Sequence, residues 1–354
     1  MFVLSGLIQS TQIYAVIYLI NFETMKKPVI FILTCFAILN CNILNAQNAG
    51  TTGAVQQNQM QGMPKDMKPP ATDVSAIKNK YLDIPYANLS EVQKLDIYLP
   101  TEISGKLPVI VSVHGGAFMM GDKRDGQVKP MLEGIKRGYA VVSVNYRMSG
   151  EALFPANIND IKAAIRWIRA NASKYNFDPD RIAIWGGSAG GNLSSLAGTS
   201  GDVKELEDLS LGNATFSSRV QAVVDWFGPT NFLKMDEHLR ETGNGTPDHC
   251  AADSPESKVL GAKITEIPEL VKKANPETYI TSDDPPFFIE HGTKDGIVPT
   301  QQSTEFYQKL VKVLSPDNVS IQLLEGAGHG GPQFEEPANI DLVFTFLDKQ
   351  LLKK

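Results

Sequence analysis

The stretch Arg181-Ile182-Ala183-Ile184-Trp185-Gly186-Gly187-Ser188-Ala189-Gly190-Gly191 opens with a short apolar run, Ile182 to Trp185. Such a run suits a strand buried on both faces. It breaks into Gly-x-Ser-x-Gly, and Asn192 to Ala197 resumes as a helix. A strand that turns so sharply into a helix forces its middle residue into strained backbone angles and lifts that side chain above the end of the sheet. Gly186 and Gly190 flank it because a Cβ at either place would collide where strand and helix backbones approach. Ser188 is therefore the candidate nucleophile.

Upstream, Leu107 to Val113 is another buried strand and runs straight into His114-Gly115-Gly116-Ala117-Phe118. Val128 to Lys136 reads as a helix stopped by Gly138, and Tyr139 to Tyr146 as a strand. Ile158, Ile161, Ile165, Ile168 and Ala172 recur at steps of three and four, one apolar face of a long helix. Beyond Ser188, strands are expected at Val220 to Phe227, Phe287 to Glu290 and Val319 to Leu324, and helices at Gln301 to Val313 and Ile340 to Leu352. Ahead of them, Tyr81 to Tyr86 and Val92 to Leu99 read as two strands around an Asn88-centred turn. The second is expected to be antiparallel and half-buried, since Leu95, Ile97 and Leu99 alternate with Asp96 and Tyr98. Strands alternating with helices from Leu107 onward imply an α/β fold, a mostly parallel central sheet with helices on both faces. Reactive groups then collect at the carboxyl ends of the strands. Residues 228–284 interrupt the alternation and contain the helix starts Ser254-Pro255 and Asn275-Pro276. An insertion that long beside the strand ends is expected to form a cap over the pocket, within one catalytic domain of residues 77–354.

A serine alcohol attacks only when a base takes its proton, and the base should be a histidine oriented by a buried carboxylate. Of five histidines, His329 lies in Glu325-Gly326-Ala327-Gly328-His329-Gly330-Gly331, a glycine loop after the last strand, and is the expected base. His114 is read as anchoring its glycine turn, His291 as structural, and His238 and His249 as surface or pocket-rim residues of the insertion. Asp295 follows its strand through His291-Gly292-Thr293-Lys294 and is the expected acid, with Asp225 as the rival. The order Ser188, Asp295, His329 fits strands that deliver their residues in sequence. The oxyanion of a tetrahedral intermediate needs N–H donors, and Gly116, Ala117 and Ala189 are the candidates. No pair of histidines and acids has spacing such as His-Glu-x-x-His, so a metal is not expected, and acyl transfer from serine to water needs no cofactor.

The 354 residues are 42% hydrophobic and 20% charged, with a formal net charge of −6, an ordinary globular balance. Lys and Arg never exceed adjacent pairs such as Lys123-Arg124, which argues against nucleic acid as a partner. Met25-Lys26-Lys27-Pro28, the apolar run Val29 to Leu39 and Asn45-Ala46-Gln47 read as a signal peptide over residues 25–46. A lipid anchor at Cys41 lacks the small residue expected just before it. Residues 1–24 read as a mis-called upstream extension, the alternative being an unusually long leader for the same exported product. Ile13 to Ile20 is too short to span a bilayer, so no stable membrane insertion is expected after leader cleavage. Residues 47–76, rich in Gln, Asn, Gly and Pro without apolar period, read as a disordered linker. The product is expected to be periplasmic or extracellular.

Leu95-Asp96-Ile97-Tyr98-Leu99-Pro100, Val113-His114-Gly115-Gly116-Ala117-Phe118, Asn145-Tyr146-Arg147, Gly186-Gly187-Ser188-Ala189-Gly190-Gly191 and His291-Gly292-Thr293-Lys294-Asp295 occur in the order of a known set of motifs. From about Ile77 to Leu352 the chain resembles the α/β-hydrolase family of bacterial carboxylesterases, near the hormone-sensitive-lipase-like branch. It is similar in particular to acetyl and feruloyl esterases attached to plant-polysaccharide degradation. The chain departs from the lipase-like branch at Ala117, where that branch usually has a third glycine. The resemblance implies ester hydrolysis through a Ser-His-Asp triad, on a small ester or an acylated polysaccharide. The alternatives are a short-chain lipid esterase, a prolyl-oligopeptidase-like peptidase and a catalytically dead binding protein. Against the peptidase, Ala189 stands where those enzymes usually have Tyr, and against the dead protein, His329 is present. Phe227, Phe232 and Leu233 are candidates for the pocket wall.

Overall fold

A computed structural model describes residues 71–352. The leader, the upstream extension and residues 47–70 of the linker lie outside the described residues. Residues 71–76, counted with the linker on sequence, sit against the domain: Thr72 donates from its N–H to Arg124 O and from its hydroxyl to Asp125 O, and Val74 is buried.

Eight strands form one sheet: β1 (Asn79–Pro85), β2 (Lys94–Leu99), β3 (Leu107–Val113), β4 (Ala140–Val144), β5 (Phe177–Gly187), β6 (Ala222–Trp226), β7 (Phe287–Gly292) and β8 (Val319–Leu324). Their order is β1-β2-β4-β3-β5-β6-β7-β8. β1 pairs antiparallel with β2 and β2 with β4, and every later pair is parallel. The expected mostly parallel sheet is present. In register, Val113 lies beside Gly186, Gly187 beside Trp226, and Trp226 beside Glu290, so β3, β5, β6 and β7 end along one edge.

The strands alternate between two cores. On one face Val109, Val111, Ile182, Ile184 and Ile289 pack with Ile161 and Ile165 of α2 (Ala156–Ala170), Leu193 and Leu196 of α4 (Ala189–Thr199), and Phe306 and Leu310 of α8 (Gln301–Val313). On the other, Ile110, Ala183, Trp185 and Val224 pack with Met131 of α1 (Lys129–Lys136) and with Val343, Phe344 and Leu347 of α10 (Pro337–Leu351). A short helix, α3 (Ala172–Tyr175), leads into β5.

β2 departs from expectation, because Leu95 to Leu99 are all buried. Asp96 and Tyr98 face not water but an internal ion cluster. The Asp96 carboxylate accepts from the Asp83 N–H at 2.6 Å, from Tyr98 Oη at 3.2 Å and from the Arg124 guanidinium. A polar residue in alternation thus marks a satisfied buried charge here.

Residues 228–284 hold α5 (Met235–Thr242), α6 (Pro255–Leu260) and α7 (Pro268–Ala274), with 3-10 turns at Phe232–Lys234, Ile264–Glu266 and Pro276–Tyr279. Their Phe232, Met235, Ile264 and Val271 are buried in the first core. Ser254 caps α6 by accepting from Ser257 N. Asn275 makes no such cap, and Pro276–Tyr279 after it is only a 3-10 turn; the Asn275 Oδ1 instead accepts from Phe232 N at 3.2 Å. Two further elements, α9 (Pro332–Glu335) and α10, come after the last glycine loop. Among the described residues, no helix is long and apolar enough to cross a membrane.

Glu290 of β7 is fully buried toward α10, where Asn339 Nδ2 donates to its Oε2 at 3.2 Å. Burial pushes its carboxyl up to about 8, against the pull of that hydrogen bond. Its folded affinity for a proton thus exceeds the unfolded one, so its contribution to stability is complete below about pH 4.5 and is lost as pH rises toward 8. Glu290→Gln is expected to remove this loss, which is on the order of 1 kcal/mol per pH unit within that window. Denaturant unfolding at pH 5 and pH 8 should find the variant ahead of wild type at pH 8, with a smaller gap at pH 5. Equal pH dependence in both proteins would show that Glu290 titrates normally.

Candidate active site

Ser188 joins β5 to α4 at φ 58°, ψ −124°, a backbone conformation that side-chain-bearing residues rarely adopt. Two backbone hydrogen bonds hold it: Ser188 N donates to Trp226 O at 2.9 Å, and Asn192 N donates to Ser188 O at 3.0 Å. A Cβ on Gly186 would lie 2.3 Å from Gly190 O, the strand-to-helix clash read from sequence. A Cβ on Gly190 would instead lie 2.2 Å from Val113 O, so the second glycine admits the neighbouring strand β3.

Ser188 Oγ lies 2.8 Å from His329 Nε2, and His329 Nδ1 lies 2.7 Å from Asp295 Oδ2. The carboxylate fixes the proton on Nδ1, which leaves Nε2 free to accept from the serine hydroxyl. Asp295 is fully buried, while Ser188 and His329 are partly exposed. Its Oδ1 accepts from the N–H groups of Ile297 and Val298, each at 2.9 Å. Burial works to raise the Asp295 carboxyl, but the charges and hydrogen bonds of His329 and His291 outweigh it and hold the group far below its ordinary value. The loops carrying the acid and the histidine are laced together: Thr293 N donates to Leu324 O at 3.0 Å, and Lys294 N to Ala327 O at 2.8 Å. The Phe227 ring, from a left-handed position after β6, meets the His329 ring edge-on with centroids 4.7 Å apart.

The loop after β3 is tied at nearly every other polar group. Gly115 N donates to Gln127 Oε1 at 2.8 Å, Gly115 O faces His114 Nδ1 at 2.8 Å, and Tyr146 Oη donates to His114 O at 2.9 Å. Gly116 O accepts from the N–H groups of Met119 and Met120. Gln127 is itself held, its Nε2 donating to Asp125 Oδ2 at 3.0 Å. Among the described residues, nothing accepts from the N–H of Gly116, Ala117 or Ala189. Phe118 packs on Phe232, centroids 6.0 Å apart, which brings the insertion against this loop.

The rival acid, Asp225, is not at His329. It is buried and accepts from Ser195 Oγ at 2.5 Å and from Gly228 N at 2.9 Å, bracing α4 against the end of β6. Burial raises its carboxyl against these donors. His114 stacks on Tyr146 with centroids 4.6 Å apart and anchors its turn. His238 and His249, read as surface or rim residues, are both buried. His238 reaches Glu305, whereas His249 pairs with Glu256 at 3.0 Å and places its Nε2 2.9 Å from Ile297 O. Burial alone would depress the His249 imidazole, but Glu256 outweighs it and pushes it up to about 9.

Sequence reasoning missed three features around this site: Gln127 behind the glycine loop, His249 reaching the Asp295 turn, and His291 on Asp295 itself. His291 Nε2 lies 2.8 Å from Val298 O and 3.2 Å from Asp295 Oδ2. No local pattern signals any of them, although the closeness of His291 and Asp295 in the chain places both on one tight turn. Among the described residues, no group of three or more His, Cys, Asp or Glu side chains is arranged to hold a metal ion.

Residues 95–310, more than half the chain, match the family model described as BD-FAE. The chain is 33% identical over 244 residues to the probable carboxylic ester hydrolase LipM of Mycobacterium tuberculosis, covering 68% of this chain and 54% of that protein. It spans about half the length of the curated relatives it matches. Among solved structures, a bifunctional GH43-CE protein of Bacteroides eggerthii is 37% identical with a TM-score of 0.70, over 77% of this chain and 35% of that one. A truncated carbohydrate esterase from gut microbiota is 31% identical with a TM-score of 0.71, over 80% of this chain and 100% of that one. With its eight-stranded sheet, the chain belongs to the BD-FAE family and has the α/β-hydrolase fold.

Proposed function

We propose that the chain is a serine hydrolase of carboxylic esters that works through an acyl-enzyme. The observation that carries this reading is the run of hydrogen bonds from Ser188 Oγ through His329 to Asp295, on the same sheet edge as three N–H groups with no acceptor among the described residues. His329 Nε2 takes the serine proton as Oγ bonds to the ester carbonyl carbon. The carbonyl oxygen, now an oxyanion, accepts from Gly116, Ala117 and Ala189, whose backbones are fixed before substrate arrives. The protonated imidazole, its charge balanced by Asp295, gives its proton to the departing alkoxide, and the C–O bond breaks. Water then attacks the acyl-enzyme by the same route, losing its proton to His329 and releasing the carboxylic acid as Ser188 recovers its own. No cofactor enters the cycle.

The substrate class follows by analogy and not from the triad. Acetyl or feruloyl esters on plant polysaccharide are the proposed substrates; one similar solved structure is named a carbohydrate esterase and another a bifunctional GH43-CE protein, which supports a carbohydrate ester. Residues 228–284 are proposed to act as the cap that shapes the pocket. Phe232 from that insertion supports the loop after β3, and Phe227 backs the His329 ring. Export is proposed on the leader at residues 25–46, which brings the enzyme to extracellular polymers.

Initial rates on 4-nitrophenyl acetate, 4-nitrophenyl octanoate and methyl ferulate, beside Ser188→Ala, test the reading. Acetate or ferulate turnover is expected, with kcat lost by at least about 10⁴-fold in the variant. A preference for octanoate would support a lipid esterase, and undiminished activity in Ser188→Ala would refute the mechanism. Gln127→Ala should lower kcat by roughly 10-fold with little change in KM, because the freed Gly115 N–H loosens donors that act on the transition state. A change confined to KM would show that the glycine loop serves substrate binding instead.

A further inference from the structure

Asp295 carries a second imidazole besides the one expected of it. His291 and Asp295 are both fully buried, and each nitrogen of the His291 ring has its own environment. Nδ1 lies 2.6 Å from Ser303 Oγ on α8. Nε2 faces two oxygens, Val298 O at 2.8 Å and Asp295 Oδ2 at 3.2 Å. The Val298 carbonyl can only accept, so Nε2 carries the proton whatever the state of Nδ1, and that N–H also lies beside the Asp295 carboxylate. Ser303 adapts to either state, because a hydroxyl both donates and accepts.

The oxygen that receives this contact is the one that holds His329. Asp295 Oδ2 thus divides its negative charge between the base and His291, while Oδ1 is occupied by the N–H groups of Ile297 and Val298. His291 also closes that turn through Val298 O, so one ring fixes the carboxylate from two sides. A donor placed on a carboxylate lowers its basicity. It therefore reduces the pull that the carboxylate exerts on the proton of its other partner. The charged or titratable groups around this pair are His329 from the loop after β8, Asp225 from β6, and His249 of the insertion, which reaches the same turn at Ile297 O.

We infer that His291 is a positioning residue that, through its Nε2–H lying 3.2 Å from Asp295 Oδ2, tunes the basicity of His329. The inference rests on the proposed esterase reading and adds to it a residue that touches neither substrate nor serine. Without the His291 donor, the charge of Asp295 bears more fully on His329, stabilises the imidazolium and raises the pH at which the base becomes available.

The test is the pH profile of kcat/KM on 4-nitrophenyl acetate for wild type, His291→Phe, Ser303→Ala and Ser188→Ala, with folding checked by circular dichroism. The acid limb reports the free enzyme's base. His291→Phe keeps a ring of similar size without a donor and is expected to move that limb upward by about 0.5 to 1 pH unit, the equivalent of one net hydrogen bond. Ser303→Ala, which frees the ring at Nδ1, should shift the limb in the same direction by less. A purely structural His291 would lower activity without moving the limb, and an unmoved limb in folded His291→Phe overturns the inference. Should that variant fail to fold, Ser303→Ala decides alone by the same criterion. Hydrolysis that persists in Ser188→Ala would instead refute the esterase reading. Hydrolysis that depends on Ser188 with an unmoved acid limb refutes only the role of His291.

Discussion

The site depends on backbone approaching backbone around Ser188. The strained turn survives because the structures on both sides hold it: Trp226 O from β6 takes the serine N–H, and α4 begins against the end of β3. A residue in that conformation costs about 1–3 kcal/mol, which the surrounding hydrogen bonds and two packed cores must offset. What the strain secures is placement. The hydroxyl stands above the sheet edge, with the N–H of Ala189, which has no acceptor among the described residues, next to it in the chain and the glycine loop after β3 beside it. A larger residue at Gly186 would push α4 from β5, and one at Gly190 would push α4 from β3; either would move the serine away from His329.

Electrostatics complete what the backbone begins. Asp295 is buried and ionised, a state that desolvation opposes and that hydrogen bonds from His329, Ile297 and Val298, with the nearby His291 ring, maintain. Such a carboxylate can orient the His329 ring and balance its charge during reaction without taking the proton itself. The insertion contributes to the same turn through His249, whose pairing with Glu256 favours its charged form. The segment read as a cap is thus also fastened to the element that carries the acid.

The sheet was legible because buried parallel strands are written as apolar runs, and β3 begins and ends where its run does; β8, an edge strand with Ser320 and Gln322 between its apolar residues, has the bounds expected of it although it is only partly buried. β5 starts earlier than its apolar run, at Phe177, because Phe177 pairs with Leu107 ahead of the polar Asp178-Pro179-Asp180. β2 misled for the opposite reason: its alternation of polar residues comes from a buried cluster with Arg124 and Lys123, distant in sequence. Ser188, Asp295 and His329 could be singled out because glycines mark each strand end, and the fold brings the three within hydrogen-bond distance. Gln127, His249 and the contact between His291 and Asp295 could not. Each depends on which helix or turn packs behind the strand ends, and nothing local in the sequence records that. Asp225 rivalled Asp295 by its place near a strand end, yet its side chain turns to α4 and not to the histidine loop.

The central claim is that Ser188 is an activated nucleophile, and covalent labelling measures that without a choice of ester. Wild type, Ser188→Ala and His329→Ala would each be treated with a fluorophosphonate and weighed intact, and the labelled peptide sequenced. A single adduct on Ser188 is expected in wild type, none in Ser188→Ala, and much slower labelling in His329→Ala. An adduct on another residue, or equal labelling of wild type and His329→Ala, would contradict the claim.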